Sequence, residues 1–76
     1  MRYKLTDKGC RARPSAIQNI QSWGKVRPLL ENEGIVSADR LNHACADHDY
    51  DGGSKGFIRH LVHMKWIEEV DQLFSP

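Results

Sequence analysis

Between Ser54 and Lys65 the apolar residues Phe57, Ile58, Leu61, Val62 and Met64 recur at helical spacing. At about 100° per residue they fill one half of a helical wheel, and Lys55, Arg59 and His63 form a row at i, i+4 and i+8 on the other half. A short helix of this kind is marginal alone in water and needs other elements to cover its apolar half. The chain has 76 residues with which to supply them, which suits one domain over residues 1–76 with one core and modest stability. Ser54 is placed to cap such a helix, so the pattern predicts helix over 54–65.

Its packing partners are legible on either side. Tyr3-Lys4-Leu5-Thr6 alternates large and polar side chains and is ended by the turn residues Asp7-Lys8-Gly9, which predicts a short strand. Pro14 and Ser15 open a helix in which Ile17, Ile20 and Trp23, each three residues on, are expected to face the core. Pro28 has no N–H for the carbonyl of Gly24, so a kink or restart is expected there. Gly34 suits a C-terminal cap, Ile35-Val36 an apolar lead-in, and Ser37 an N-cap for a second helix from about Ala38 to Ala46. Asp49 to Gly53 reads as a loop. Trp66-Ile67-Glu68-Glu69-Val70, rich in strand formers, is placed to pair with Tyr3–Thr6. The expected fold class is therefore mainly α with a small β-sheet: a three-helix core whose N- and C-terminal strands pair antiparallel. Trp23 and Trp66 are expected at the edges of that core.

At 39% apolar and 28% charged residues, the composition is that of a folded soluble protein. No run approaches the roughly 20 apolar residues of a membrane span, and the N-terminal residues carry no apolar secretion signal, so a cytoplasmic protein without membrane partners is expected. Cys10 and Cys45 are read as reduced thiols, since small disulfide-built domains usually hold more cysteines.

The net charge of +1 conceals an asymmetry. Residues 1–27 hold seven lysines and arginines against Asp7, a balance of +6, and residues 28–53 hold Arg40 against six carboxylates, a balance of −5. Such polarity favours an anionic partner on one side, although mixed solvated charge gives the same count.

Three chemical constellations carry less. Asp47-His48-Asp49-Tyr50-Asp51-Gly52 matches the start of a calcium-binding loop, but the twelfth position is Ile58 where a bidentate Glu is needed. His43, Cys45, His48, His60 and His63 include zinc-ligand types without a C-x-x-C pair to organise them. Cysteine and histidine occur without anything to orient a base or form an oxyanion site. No metal, cofactor or enzymatic activity is expected.

The segments Ile35–Leu41, Gly56–Val62 and Trp66–Val70 together resemble the second helix, third helix and first wing strand of winged helix-turn-helix proteins. Tyr3–Gly9 is similar to the Y-x-L-T-x-K-G stretch that closes the wing in many of them. Here it precedes the first helix instead of following the third, so the sheet must join the two chain ends. The resemblance implies a small DNA-binding transcription regulator whose third helix enters the major groove, with Arg59 as first choice for a base contact. Lys55 and His63, with the N-terminal Arg2, Lys4, Lys8, Arg11 and Arg13, would then bind phosphate, and a symmetric site would call for a homodimer. Two features weigh against DNA: Asp47, Asp49 and Asp51 directly before that helix, and a pI of about 7.8. Any surface helix shows the same segregation of polar residues. The alternative is a non-enzymatic protein-interaction module, a small accessory or phage-encoded protein that binds a larger machine such as a polymerase.

Overall fold

The computed structural model describes residues 1–49 and 52–70. In chain order they form strand β1 (Arg2–Leu5), a one-turn helix α1 (Asp7–Cys10), a long helix α2 (Ile17–Glu33), strand β2 (Ile35–Ser37), helices α3 (Ala38–Ala44) and α4 (Gly53–His63), and strand β3 (Ile67–Val70). The protein is mainly helical with a small antiparallel sheet, and the strands at its two ends do pair. Tyr3 faces Glu69 and Leu5 faces Ile67 in that ladder.

The sheet has three strands where two were expected, in the order β2-β1-β3. The apolar lead-in Ile35-Val36 is the extra strand, with Val36 opposite Tyr3 and Ser37 opposite Arg2. β1 is thus the central strand. Its inward residues Tyr3 and Leu5 lie beside Val36 and Ile67, and its outward residues Arg2 and Lys4 face solvent.

The Asp7-Lys8-Gly9 turn is in fact a helical turn. Thr6 caps it by accepting from the Gly9 amide at 2.9 Å. The same residue ties the chain's ends together, because its amide donates to the Trp66 carbonyl at 3.0 Å and its hydroxyl donates to the carbonyls of Lys65 and Trp66.

α2 runs through Pro28 without a restart. Its buried residues are Ser22, Trp23, Val26 and Leu30, whereas Ile17 and Ile20 are 73% and 47% exposed, against the expectation that they face the core. The reason is angular: each three-residue step falls about 60° short of a full turn, so Ile17, Ile20 and Trp23 fan across the helix and only Trp23 reaches the inward stripe. Trp23 packs on Trp66 with ring centroids 5.3 Å apart, joining α2 to the start of β3. Gly34 ends α2 at φ +81°, a conformation that favours glycine.

Ser37 caps α3 as expected, accepting from the Arg40 amide at 3.2 Å. α3 ends at Ala44, two residues before the expected boundary. α4 starts at Gly53, behind Gly52 at φ +98°; Ser54 is not its cap. The Ser54 hydroxyl instead donates to Asn42 Oδ1 at 2.9 Å and links α4 to α3. At the far end the Trp66 amide donates to the Leu61 carbonyl and the Lys65 amide to that of Val62, with Lys65 at φ +64°. This pair of bonds closes the helix and turns the chain into β3. Phe57, Ile58 and Leu61 are buried, while Val62 lies at the margin at 36% exposure. Among the described residues no helix is long and apolar enough to cross a membrane.

Candidate nucleic-acid interface

The polar row of α4 stands on the face turned away from Phe57 and Leu61, and Lys55, Arg59 and His63 are all exposed. What fixes its direction is the connection from α3, and the residue that anchors this connection is His48. Its ring is buried, accepts from or donates to the Ser22 hydroxyl of α2 at 2.6 Å, and stacks on Phe57 of α4 at a centroid distance of 4.6 Å. One imidazole therefore touches α2 and α4 at once. The sequence presents His48 only as one of several zinc-ligand types, and the structure buries it. A histidine among aspartates gives no sign of burial, and only the Ser22 hydroxyl brought from α2 makes burial acceptable.

The cations are sorted by their partners. Lys4 pairs with Glu68 at 3.1 Å across the sheet, Lys25 with Asp47, Arg27 with Glu31 at 3.0 Å, and Arg40 with Glu33 at 2.7 Å. Among the described residues Arg2, Lys8, Arg11, Arg13, Lys55, Arg59 and Lys65 have no carboxylate partner. In the acidic middle of the chain, Glu31, Glu33 and Asp47 are thus matched to cations of α2 and α3. Asp47, one of the aspartates that weighed against DNA, is held below the usual carboxylate range by its hydrogen bond from Lys25, followed by that ammonium's charge.

The expected site residues fall into groups. Lys55 and Arg59 line a depression of about 330 Å³ with Met1, Tyr3, Val62 and Glu69. Arg11 and Arg13 line another, of about 540 Å³, with Arg27, and share no lining residue with the first. There Arg27 also donates to the Cys10 carbonyl at 2.9 Å, which holds the segment after α1 against α2. Arg2 and Lys4 stand on the outer face of the sheet, and Lys8 is exposed on α1. The structure brings Lys55 and Arg59 together and Arg11 and Arg13 together; it does not gather all eight residues around one depression. Arg27 was not among the expected contacts, and its helical spacing to Glu31 alone gave no reason to include it.

Among the described residues no three His, Cys, Asp or Glu side chains converge as a metal site. Tyr50 and Asp51 of the calcium-like loop lie outside the described residues. Both cysteines are free, Cys10 exposed and Cys45 buried; burial pushes the Cys45 thiol up from its ordinary value. Comparison with protein-family models, with curated proteins and with solved structures finds no match.

Proposed function

We propose that this chain is a non-enzymatic DNA-binding regulator of winged-helix type, acting in the cytoplasm, in which α4 meets the groove of duplex DNA. The observation that carries the reading is the pairing pattern of the charges. Four cations are matched to carboxylates, and among the described residues Lys55 and Arg59 are left with none, one turn apart on the exposed side of α4. A helix fits the major groove, where Arg59 would donate to a guanine edge and Lys55 to phosphate. His63, a turn further on, extends the row. Arg11 and Arg13 form a second cationic patch suited to phosphate, and Arg2 and Lys8 add charge at either end of β1.

The strand arrangement supports the same reading. β1 carries Tyr3 and Leu5 of the Y-x-L-T-x-K-G stretch, whose Lys8 and Gly9 lie in α1, and runs antiparallel beside β3, the neighbour a closing wing strand would have. Arg2, opposite Val70, stands at the end of the pair where the tip of such a wing would lie.

A protein partner is favoured by one observation: Met1 and Val62, 75% and 36% exposed, sit beside Lys55 and Arg59 in the same depression, and apolar surface there suits a protein better than a phosphate backbone. Fluorescence anisotropy with a labelled mixed-sequence duplex separates the two readings. DNA binding is expected at low salt, and Arg59→Ala or Lys55→Ala is expected to weaken it about tenfold, with folding unchanged by circular dichroism. Wild-type protein that leaves the duplex unbound at low salt transfers the site to a protein partner.

A further inference from the structure

Three guanidiniums meet at the depression that follows α1, which is lined by Cys10, Arg11, Ala12, Arg13 and Arg27. Local packing brings the first two there. Ala12 is half-buried against the core, and its neighbours Arg11 and Arg13 are both exposed. Arg27 reaches the same place from α2. Its Nε donates to Glu31 and its Nη2 to the Cys10 carbonyl, so this half-buried guanidinium is fixed at two points while its Nη1 remains for another acceptor.

Among the described residues no carboxylate lines the depression. Glu31 offsets one of the three charges, and Arg11 and Arg13 have no carboxylate partner there, which leaves a local balance of +2. Like charges gathered in a recess repel one another until an anion enters between them. Guanidinium is also the side-chain group whose planar fork of donors matches the oxygens of phosphate.

We propose that this depression binds a phosphate monoester, a small phosphorylated molecule taken from solution. A monoester carries about −1.5 to −2 charges at pH 7 and presents three strong acceptor oxygens, which matches the balance of +2 and offers one oxygen to each arginine. A DNA backbone phosphate is the same chemistry from another source, but it is a diester with a single negative charge, so it leaves part of the recess uncompensated. The volume of about 540 Å³ falls within the roughly 300–1,000 Å³ of ordinary small-molecule sites. The depression shares no lining residue with the one beside α4, and the proposal does not depend on what α4 binds.

Cys10 supplies the readout, because its exposed thiol lines the depression while Cys45 is buried. Methyl phosphate and dimethyl phosphate are each titrated to about 20 mM at constant ionic strength, and alkylation of native protein by iodoacetamide is followed by intact mass. Methyl phosphate is expected to slow alkylation of wild type about fivefold, with half the effect at about 1 mM, and dimethyl phosphate to act about tenfold more weakly. Arg11→Ala and Arg13→Ala remove exposed side chains without touching the core and are expected to raise the half-effect concentration about tenfold, with an unchanged helical spectrum. Arg40→Ala, which removes a cation of α3 that does not line the depression, is expected to be protected like wild type. Alkylation that methyl phosphate leaves unchanged overturns the proposal. So does equal protection by dimethyl phosphate, which would give these arginines to a DNA backbone, protection that Arg13→Ala leaves intact, or an Arg40→Ala variant that loses protection equally.

Discussion

Gly9 packs its bare Cα against the main chain of Trp66: a Cβ at Gly9 would lie 2.0 Å from the Trp66 carbonyl oxygen and 2.8 Å from a methyl of Leu5. That oxygen is also the acceptor for the Thr6 amide, so it cannot retreat without loosening the junction of β1 and β3. Gly9→Ala should therefore destabilise the fold by about 3 kcal/mol, at the upper end of ordinary overpacking. Urea denaturation monitored by tryptophan fluorescence measures it.

A change at the other side of this junction should act in the opposite sense. Lys65 holds φ +64°, a conformation costly for a side-chain-bearing residue but free for glycine at this cap position. The Lys65 contribution to the Thr6 contact is its carbonyl, which glycine keeps. Lys65→Gly is expected to stabilise the protein by about 0.5–1 kcal/mol, after allowing for the freedom glycine adds to the unfolded chain, and thermal unfolding reads the gain.

The buried Ser22–His48 pair should be sensitive to the loss of one member. Ser22→Ala leaves the His48 nitrogen without its 2.6 Å partner at a cost of about 1–3 kcal/mol. Because His48 also stacks on Phe57, the aromatic and amide NMR signals of α4 should shift in this variant while those of β3 change little.

How far the sequence disclosed this arrangement differs from element to element. β1 and β3 were legible because alternation and strand-forming residues act locally, and their pairing followed from having two such strands to satisfy. β2 was not: three residues give no period, and Ile35–Ser37 is extended only because β1 offers a free edge there. The amphipathic period of α4 identified its exposed row, but spacing along one helix cannot say which carboxylates the other helices bring near it. That Asp47 meets Lys25 and that His48 reaches Ser22 are consequences of α2 crossing behind the loop. Ile17 and Ile20 show the converse: apolar residues at helical spacing share a region of the helix surface without the chain supplying anything to cover it.

The two thiols should separate cleanly in reactivity. Exposed Cys10 should react with a thiol reagent in the native protein, and buried Cys45 only on unfolding. Burial raises the Cys45 thiol above its ordinary 9.0, so the folded state holds that proton more tightly than the unfolded state does. This contribution is fully present below pH 9.0 and is lost as pH rises through the ordinary value towards the folded one. Stability should fall above about pH 9 more steeply in wild type than in Cys45→Ala, as measured by urea denaturation at each pH.

The role assigned to the unpaired cations is tested most directly by the salt dependence of DNA binding. Each phosphate neutralised contributes about −0.9 to the slope of log K against log salt concentration. If Lys55 and Arg59 act together with Arg11 and Arg13, the slope should lie between about −2 and −4 and become shallower by about 1 in Lys55→Ala. A slope near zero, or one that Lys55→Ala leaves unchanged, would contradict the account.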